Sequence, residues 1–152
     1  MLILDTNHLR ELLISGPVSE RLKRKLMLDV RRVGTTIINV HEGIKGWIED
    51  INRSPTALGK VNGYAKLHEL LDFYSSWDIL PFDARCAAQF DALKSIPALR
   101  RVPTMDLQIA SIVLCNNATL LTRNLSDFQN VPNLKVEDWT IDDLHENADQ
   151  QP

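Results

Sequence analysis

Two cysteines, Cys86 and Cys115, are all the chain has, and they lack the paired spacing of a zinc site or a disulfide framework. In apolar helical surroundings they read as small buried hydrophobes. No apolar run approaches the roughly 18 residues of a membrane helix. The opening MLILDTN has no basic segment ahead of its short apolar stretch, so it does not read as a signal peptide. These absences point to a cytoplasmic protein without a membrane role. There is no glycine-rich phosphate loop, which argues against an ATPase or GTPase, and no nucleophile-elbow pattern to support a Ser-His-Asp hydrolase. The four histidines, His8, His41, His68 and His145, are scattered, with no second His or Cys at ligand spacing. Excess positive charge is missing too: the net charge is −3, at first sight wrong for a handler of nucleic acid. Yet Arg21, Lys23, Arg24, Lys25, Arg31 and Arg32 gather in one early segment, and Arg100 and Arg101 in a later loop. They form either a solvated face or one that meets phosphates or a partner.

What is present suffices for one domain. With 152 residues, 44% of them hydrophobic, the chain can bury a single core. We expect that domain over 1–141, followed from Asp142 by an acidic, polar tail. MLILD reads as a short buried strand ending abruptly at Asp5. A helix follows to about Ser15, and Pro17 opens a second, with Val18, Leu22, Leu26 and Val30 at helical spacing. The β-branched run Thr35-Thr36-Ile37-Ile38 predicts a second strand, and Asn39 the N-cap of the next helix. A further helix runs from Thr56 to about Ser76, its apolar face formed by Leu58, Val61, Ala65, Leu67, Leu70, Leu71 and Tyr74. Trp77 to Phe82 reads as a strand, Asp83 as the cap of another helix, and Pro97 to Pro103 as a loop. Thr104 caps the apolar helix MDLQIASIVLCNN. Ala118 to Thr122 and Leu134 to Val136 complete the strands. Strands alternating with helices imply an α/β sandwich around a mainly parallel sheet of four to five strands.

In such sheets ligands gather beyond the carboxyl ends of the strands, which makes polar residues there informative. Asp5 ends the first strand. Glu42 lies in the first turn of the helix after the second, and Asp106 in the first turn of the helix after the arginine loop. Thr122-Arg123-Asn124 ends the fourth strand, with Asp127 close behind. A helix N-terminus favours any single acid through its dipole, but four acids at such places can converge on one sheet edge. Two ionised carboxylates ~5 Å apart repel by about 3 kcal/mol at an effective dielectric near 20. Several together call for a cation between them. Oxygen ligands alone suit Mg²⁺ or Mn²⁺ better than zinc, and such a cation supports phosphodiester hydrolysis.

LDTN at 4–7, INVHEG at 38–43, TMDLQIA at 104–110, LTRNLSDF at 121–128 and VPNLKVEDW at 131–139 together resemble the PIN-domain nucleases, most of all the VapC toxins of toxin–antitoxin pairs. The resemblance covers nearly the whole chain and implies a three-layer α/β/α fold. It implies that Asp5, Glu42 and Asp106 are the main metal ligands and Asp127 a fourth, more variable one. Thr6, Asn7, Thr122 and Asn124 match positions that support the ligands or the phosphate. It further implies a Mg²⁺- or Mn²⁺-dependent endoribonuclease, an antitoxin partner and a homodimer, the last through helix faces between residues 18 and 76. The alternative is a PIN fold that has lost catalysis and binds RNA or protein. A phosphatase with a nucleophilic Asp5 is disfavoured, because Asn7 stands where such enzymes place a second Asp. Trp47, Trp77 and Trp139 read as core or interface residues rather than base-stacking platforms.

Overall fold

The computed structural model of the chain describes residues 1–141. The expected polar tail and His145 lie outside the described residues. Five strands, β1 (Leu2–Leu4), β2 (Val33–Thr36), β3 (Asp78–Leu80), β4 (Thr119–Leu121) and β5 (Lys135–Glu137), form one sheet in the order β3-β2-β1-β4-β5. Every neighbouring pair is parallel. Parallel strands need long crossovers, and helices supply them: α1 (Thr6–Leu13), α2 (Pro17–Leu28), α3 (Ile37–Arg53), α4 (Ala57–Ser75), α5 (Ala84–Lys94), α6 (Thr104–Cys115) and the short α7 (Leu125–Phe128).

Alternation along the strands divides the core in two. Leu2 and Leu4 face one layer with Leu9, Val40, Leu70, Tyr74 and Leu121. Ile3 and Leu120 face the other, with Leu107, Ile109, Ile112, Val113 and Phe128. β1 is buried on both faces, which explains its uninterrupted apolar sequence. The strand order reverses between β1 and β4, so the crevice beyond their carboxyl ends is the switch point where open sheets bind ligands.

Several local readings change. The run Thr35–Ile38 is not all strand: β2 ends at Thr36, which itself caps α3. Asn39 is then the third helical residue, reciprocating in a capping box rather than serving as the cap. Glu42 consequently sits in the second turn of α3, not the first. Thr104 is the first residue of α6 and makes no side-chain cap; Pro103 precedes it, its fixed φ compatible with a helix start. Asp83 does cap α5, accepting from Cys86 N–H at 3.0 Å. On α4 only Leu70 and Tyr74 of the expected face are buried, while Leu58 and Val61 are 81% and 63% exposed. Val30 lies beyond the end of α2, fully exposed.

Gly34, in the middle of β2, stands opposite Asp78 of β3. A Cβ built there would lie 2.5 Å from the Asp78 carbonyl oxygen and 2.7 Å from Met1 Cε. The methionine can move, but the sheet backbone cannot without spreading β2 from β3. Gly34→Ala should therefore destabilise the fold by about 2–3 kcal/mol, the scale of overpacking in a tight interior. Urea unfolding measures this; an unchanged midpoint would contradict the close approach.

Candidate metal centre

Asp5 leaves β1 directly into the switch-point crevice, and it is buried. It caps α1, with Oδ1 accepting from Thr6 N–H at 2.7 Å and from Asn39 Nδ2 at 2.8 Å. Oδ2 accepts from the Thr122 hydroxyl at 2.6 Å and Asn7 Nδ2 at 2.9 Å. The Thr122 oxygen in turn accepts from Asn7 Nδ2 and from Asn124 N–H, both at 3.0 Å. Residues at the ends of β1 and β4 and the start of α3 thus fix one carboxylate. Beside it, Glu42 accepts from the Thr6 hydroxyl at 2.6 Å. Asn124 Nδ2 donates to Asp127 at 2.7 Å and reaches Asp106 at 3.4 Å.

Asn124 joins these two halves, its backbone N–H on the Thr122 oxygen and its side chain on Asp106 and Asp127. The Asp106 carboxyl is pushed up to about 7, first by burial and then by the charges of Asp5, Asp127 and Glu42. Glu42 also helps burial push the Tyr74 hydroxyl up to about 12. Among the described residues, no three acidic, His or Cys side chains yet stand in an arrangement that would hold a metal ion. Both Asp5 oxygens and one oxygen each of Glu42 and Asp127 accept from the Thr and Asn donors just named. As a donor set, oxygen-only and mutually repelling, they fit a hard divalent cation. A cavity of about 290 Å³ opens beside Glu42, lined also by Thr6, Arg10, Leu13 and Trp47.

No family model matches the chain. Ribonuclease VapC2 of Rickettsia felis is 35% identical over 69 residues, which are 44% of this chain and 52% of the relative. The match thus spans about half that relative's length. In the solved structure of Rickettsia felis VapBC2 bound to a promoter DNA fragment, one chain superposes with a TM-score of 0.68 at 26% identity, covering 91% of this chain and 98% of that one. A chain of DNA-bound VapBC from Salmonella typhimurium gives 0.70 at 24% identity, over 91% and 97%, a likeness of fold. The chain shares its fold with these VapBC chains.

Thr6, Asn7, Thr122 and Asn124 join Asp5, Glu42, Asp106 and Asp127 in one hydrogen-bonded network. Asn39 was not among the expected site residues, yet its buried amide holds Asp5 while its oxygen accepts from the Thr36 hydroxyl at 2.6 Å. Its position next to a strand end is the local signal for this role, and the same position also suits a helix cap. His8 is the second addition: it is completely buried behind Asn7. His41 and His68 are exposed. The early basic residues are largely engaged locally: Lys23 pairs with Glu20, Arg32 with Asp78, and Arg31 with Asp29 beneath Trp139, while Arg21 donates to the Thr140 carbonyl. Arg100 and Arg101 are exposed on the approach to α6, whose first turn carries Asp106. All three tryptophans pack against the core layer of α1, α3 and α4. No helix of the described residues is long and apolar enough to cross a membrane.

Proposed function

We propose that this chain is a divalent-metal-dependent endoribonuclease, the toxin of a toxin–antitoxin pair acting in the cytoplasm. One observation carries the reading: Thr6, Asn7, Thr122 and Asn124 link Asp5, Glu42, Asp106 and Asp127, carboxylates drawn from separate elements, into one hydrogen-bonded network at the sheet's switch point. Such a set gains from a bound cation what it loses without one. Asp5, Glu42, Asp106 and Asp127 would hold Mg²⁺ or Mn²⁺, which supplies charge neutralisation at a scissile phosphate and a more acidic water. Asp5, fixed by four donors, is the rigid member of the set. Asp106, half-buried at a helix start, can release its proton as positive charge arrives. Thr6 and Asn124 hold Glu42 and Asp127 in place until then. Arg100 and Arg101, exposed in the loop that leads into α6, are suited to draw an RNA backbone toward Asp106.

The likeness to toxins solved in VapBC complexes supports an antitoxin partner, and an acidic crevice suits a guanidinium from such a partner. The exposed Leu58, Val61, Tyr64 and Leu71 on α4 support a homodimer.

Purified, partner-free protein incubated with total RNA should cleave it in Mg²⁺ or Mn²⁺ and stop on addition of EDTA. Calorimetric titration of Mn²⁺ into the same preparation should register binding that Asp106→Asn weakens. Mn²⁺ binding without cleavage of any RNA would favour the inactive binding module. Absence of both from folded protein would overturn the metal reading.

A further inference from the structure

We propose that His8 is a positioning residue for Asp5, acting through the Asn7 amide and tying the end of β5 to the acidic crevice. The inference rests on the metal-centre reading above. His8 lies in the first turn of α1 with no exposed surface. Its Nε2 is met by the Trp139 backbone N–H at 3.2 Å, two residues past β5. A backbone N–H can only donate, so Nε2 accepts and the ring proton must sit on Nδ1. Nδ1 lies 2.9 Å from Asn7 Oδ1 and therefore donates to it. That fixes the amide orientation: its oxygen faces His8, and its Nδ2 donates to Asp5 Oδ2 at 2.9 Å and Thr122 Oγ1 at 3.0 Å. Flipped, the amide would turn its oxygen toward a carboxylate oxygen, two acceptors facing each other.

Each bond in the series has a direction set by the one before it, from Trp139 to His8, Asn7 and Asp5. A histidine that only filled space would not need this polarity. The ring is neutral in ordinary buffers, since burial depresses it to about 4 against the raising influence of Asp138 and Glu11, with Arg123 adding to the depression. Asn7 Oδ1 has a second donor, Arg123 N–H at 3.1 Å, so loss of His8 should loosen the amide rather than free it. The expected effect therefore falls at the low end of what outer-shell partners of metal ligands contribute.

Two substitutions separate the bonds. His8→Asn can keep a donor near the Nδ1 position while losing the reach to Trp139. His8→Gln can reach Trp139 but loses the donor to Asn7. Both should melt earlier than the parent. The Mn²⁺ dissociation constant should rise about 10-fold in His8→Gln and less than about 3-fold in His8→Asn. Equal weakening in both, or none in either, overturns the proposal. The side-chain amide protons of Asn7, followed by NMR in metal-free protein, give a readout independent of metal. They should exchange faster in His8→Gln than in His8→Asn, and equal protection overturns the proposal. If the parent itself binds no Mn²⁺, the metal reading fails and the exchange measurement still decides the role of His8.

Discussion

Asp106→Asn should reduce RNA cleavage by at least about 100-fold while raising the melting temperature of the metal-free protein. The two effects have one origin. Removing a ligand costs more than removing an outer-shell partner, which alone commonly costs 10- to 100-fold. In metal-free protein, however, the Asp106 charge is unwelcome, since its carboxyl is pushed to about 7 from an ordinary 3.8. Between those values the folded chain keeps a proton that the unfolded chain has released. Stability from this group therefore falls as pH rises from about 4 to 7, and the loss is complete above 7. Three pKa units correspond to roughly 4 kcal/mol at most, and partial solvation of the site brings this to about 1–2 kcal/mol. Asn cannot ionise, so the variant escapes the penalty.

His8 works in the opposite sense. Its ring is depressed from 6.5 to about 4, so the unfolded chain takes up the proton first. Stability from His8 is present above 6.5 and is lost as pH falls toward 4. Across pH 4 to 6.5 the two groups oppose each other. Melts of the metal-free parent should vary little over that window from these two groups, whereas Asp106→Asn should gain stability steadily as pH rises through it. A variant that melts below the parent at pH 8, or that repeats its pH profile, would contradict the electrostatic account.

Asp5→Ala should abolish activity too, but with the fold weakened by about 3–5 kcal/mol. The substitution strands four donors: Thr6 N–H, Asn39 Nδ2, Asn7 Nδ2 and the Thr122 hydroxyl. Each unsatisfied buried donor costs about 1–3 kcal/mol, and partial access of water lowers the sum. Asp5→Asn is no gentle alternative. Whichever way its amide turns, the NH₂ faces two donors, either Thr6 and Asn39 or Asn7 and Thr122. The Thr122 hydroxyl cannot rotate to accept it, because its oxygen already accepts from Asn7 and Asn124. Urea denaturation should place both Asp5 variants well below the parent, and Asp106→Asn at or above it. Equal stability of Asp5→Ala and parent would mean the four donors are not committed to that carboxylate. An inactive Asp5 variant alone therefore says little about chemistry, and Asp106→Asn is the informative knock-out.

The strand ends were legible because apolar runs stop abruptly at polar residues, and Asp5 was conspicuous as an acid directly after four apolar residues. Pro17 and Asp83 marked their helix starts through local chemistry that tertiary contacts did not override. Thr36 and Asn39 can both cap a helix, so local chemistry alone left the boundary three residues uncertain. The choice of Asn39 as the cap hid its bond to Asp5, a residue 34 positions away. His8 was illegible for the same reason, since its partner Trp139 lies 131 positions along the chain. On α4, periodicity showed that an apolar stripe exists but not what covers it, and Leu58 and Val61 proved exposed. Convergence of the acids was inferred from the rule for parallel sheets; the hydrogen bonds among their supporting residues were beyond any local pattern.

The sheet order also governs when the crevice can exist during synthesis. β1 emerges from the ribosome first, yet it occupies the centre of the sheet and must wait for β4, whose Thr119–Leu121 pair with Leu2–Leu4. Contacts so distant in sequence form late. A nascent chain halted before residue 106 carries only Asp5 and Glu42 of the four acids, and no β4 to set Thr122 against Asp5. Whatever the crevice binds, it cannot assemble before β4 has been translated and Thr122 set against Asp5.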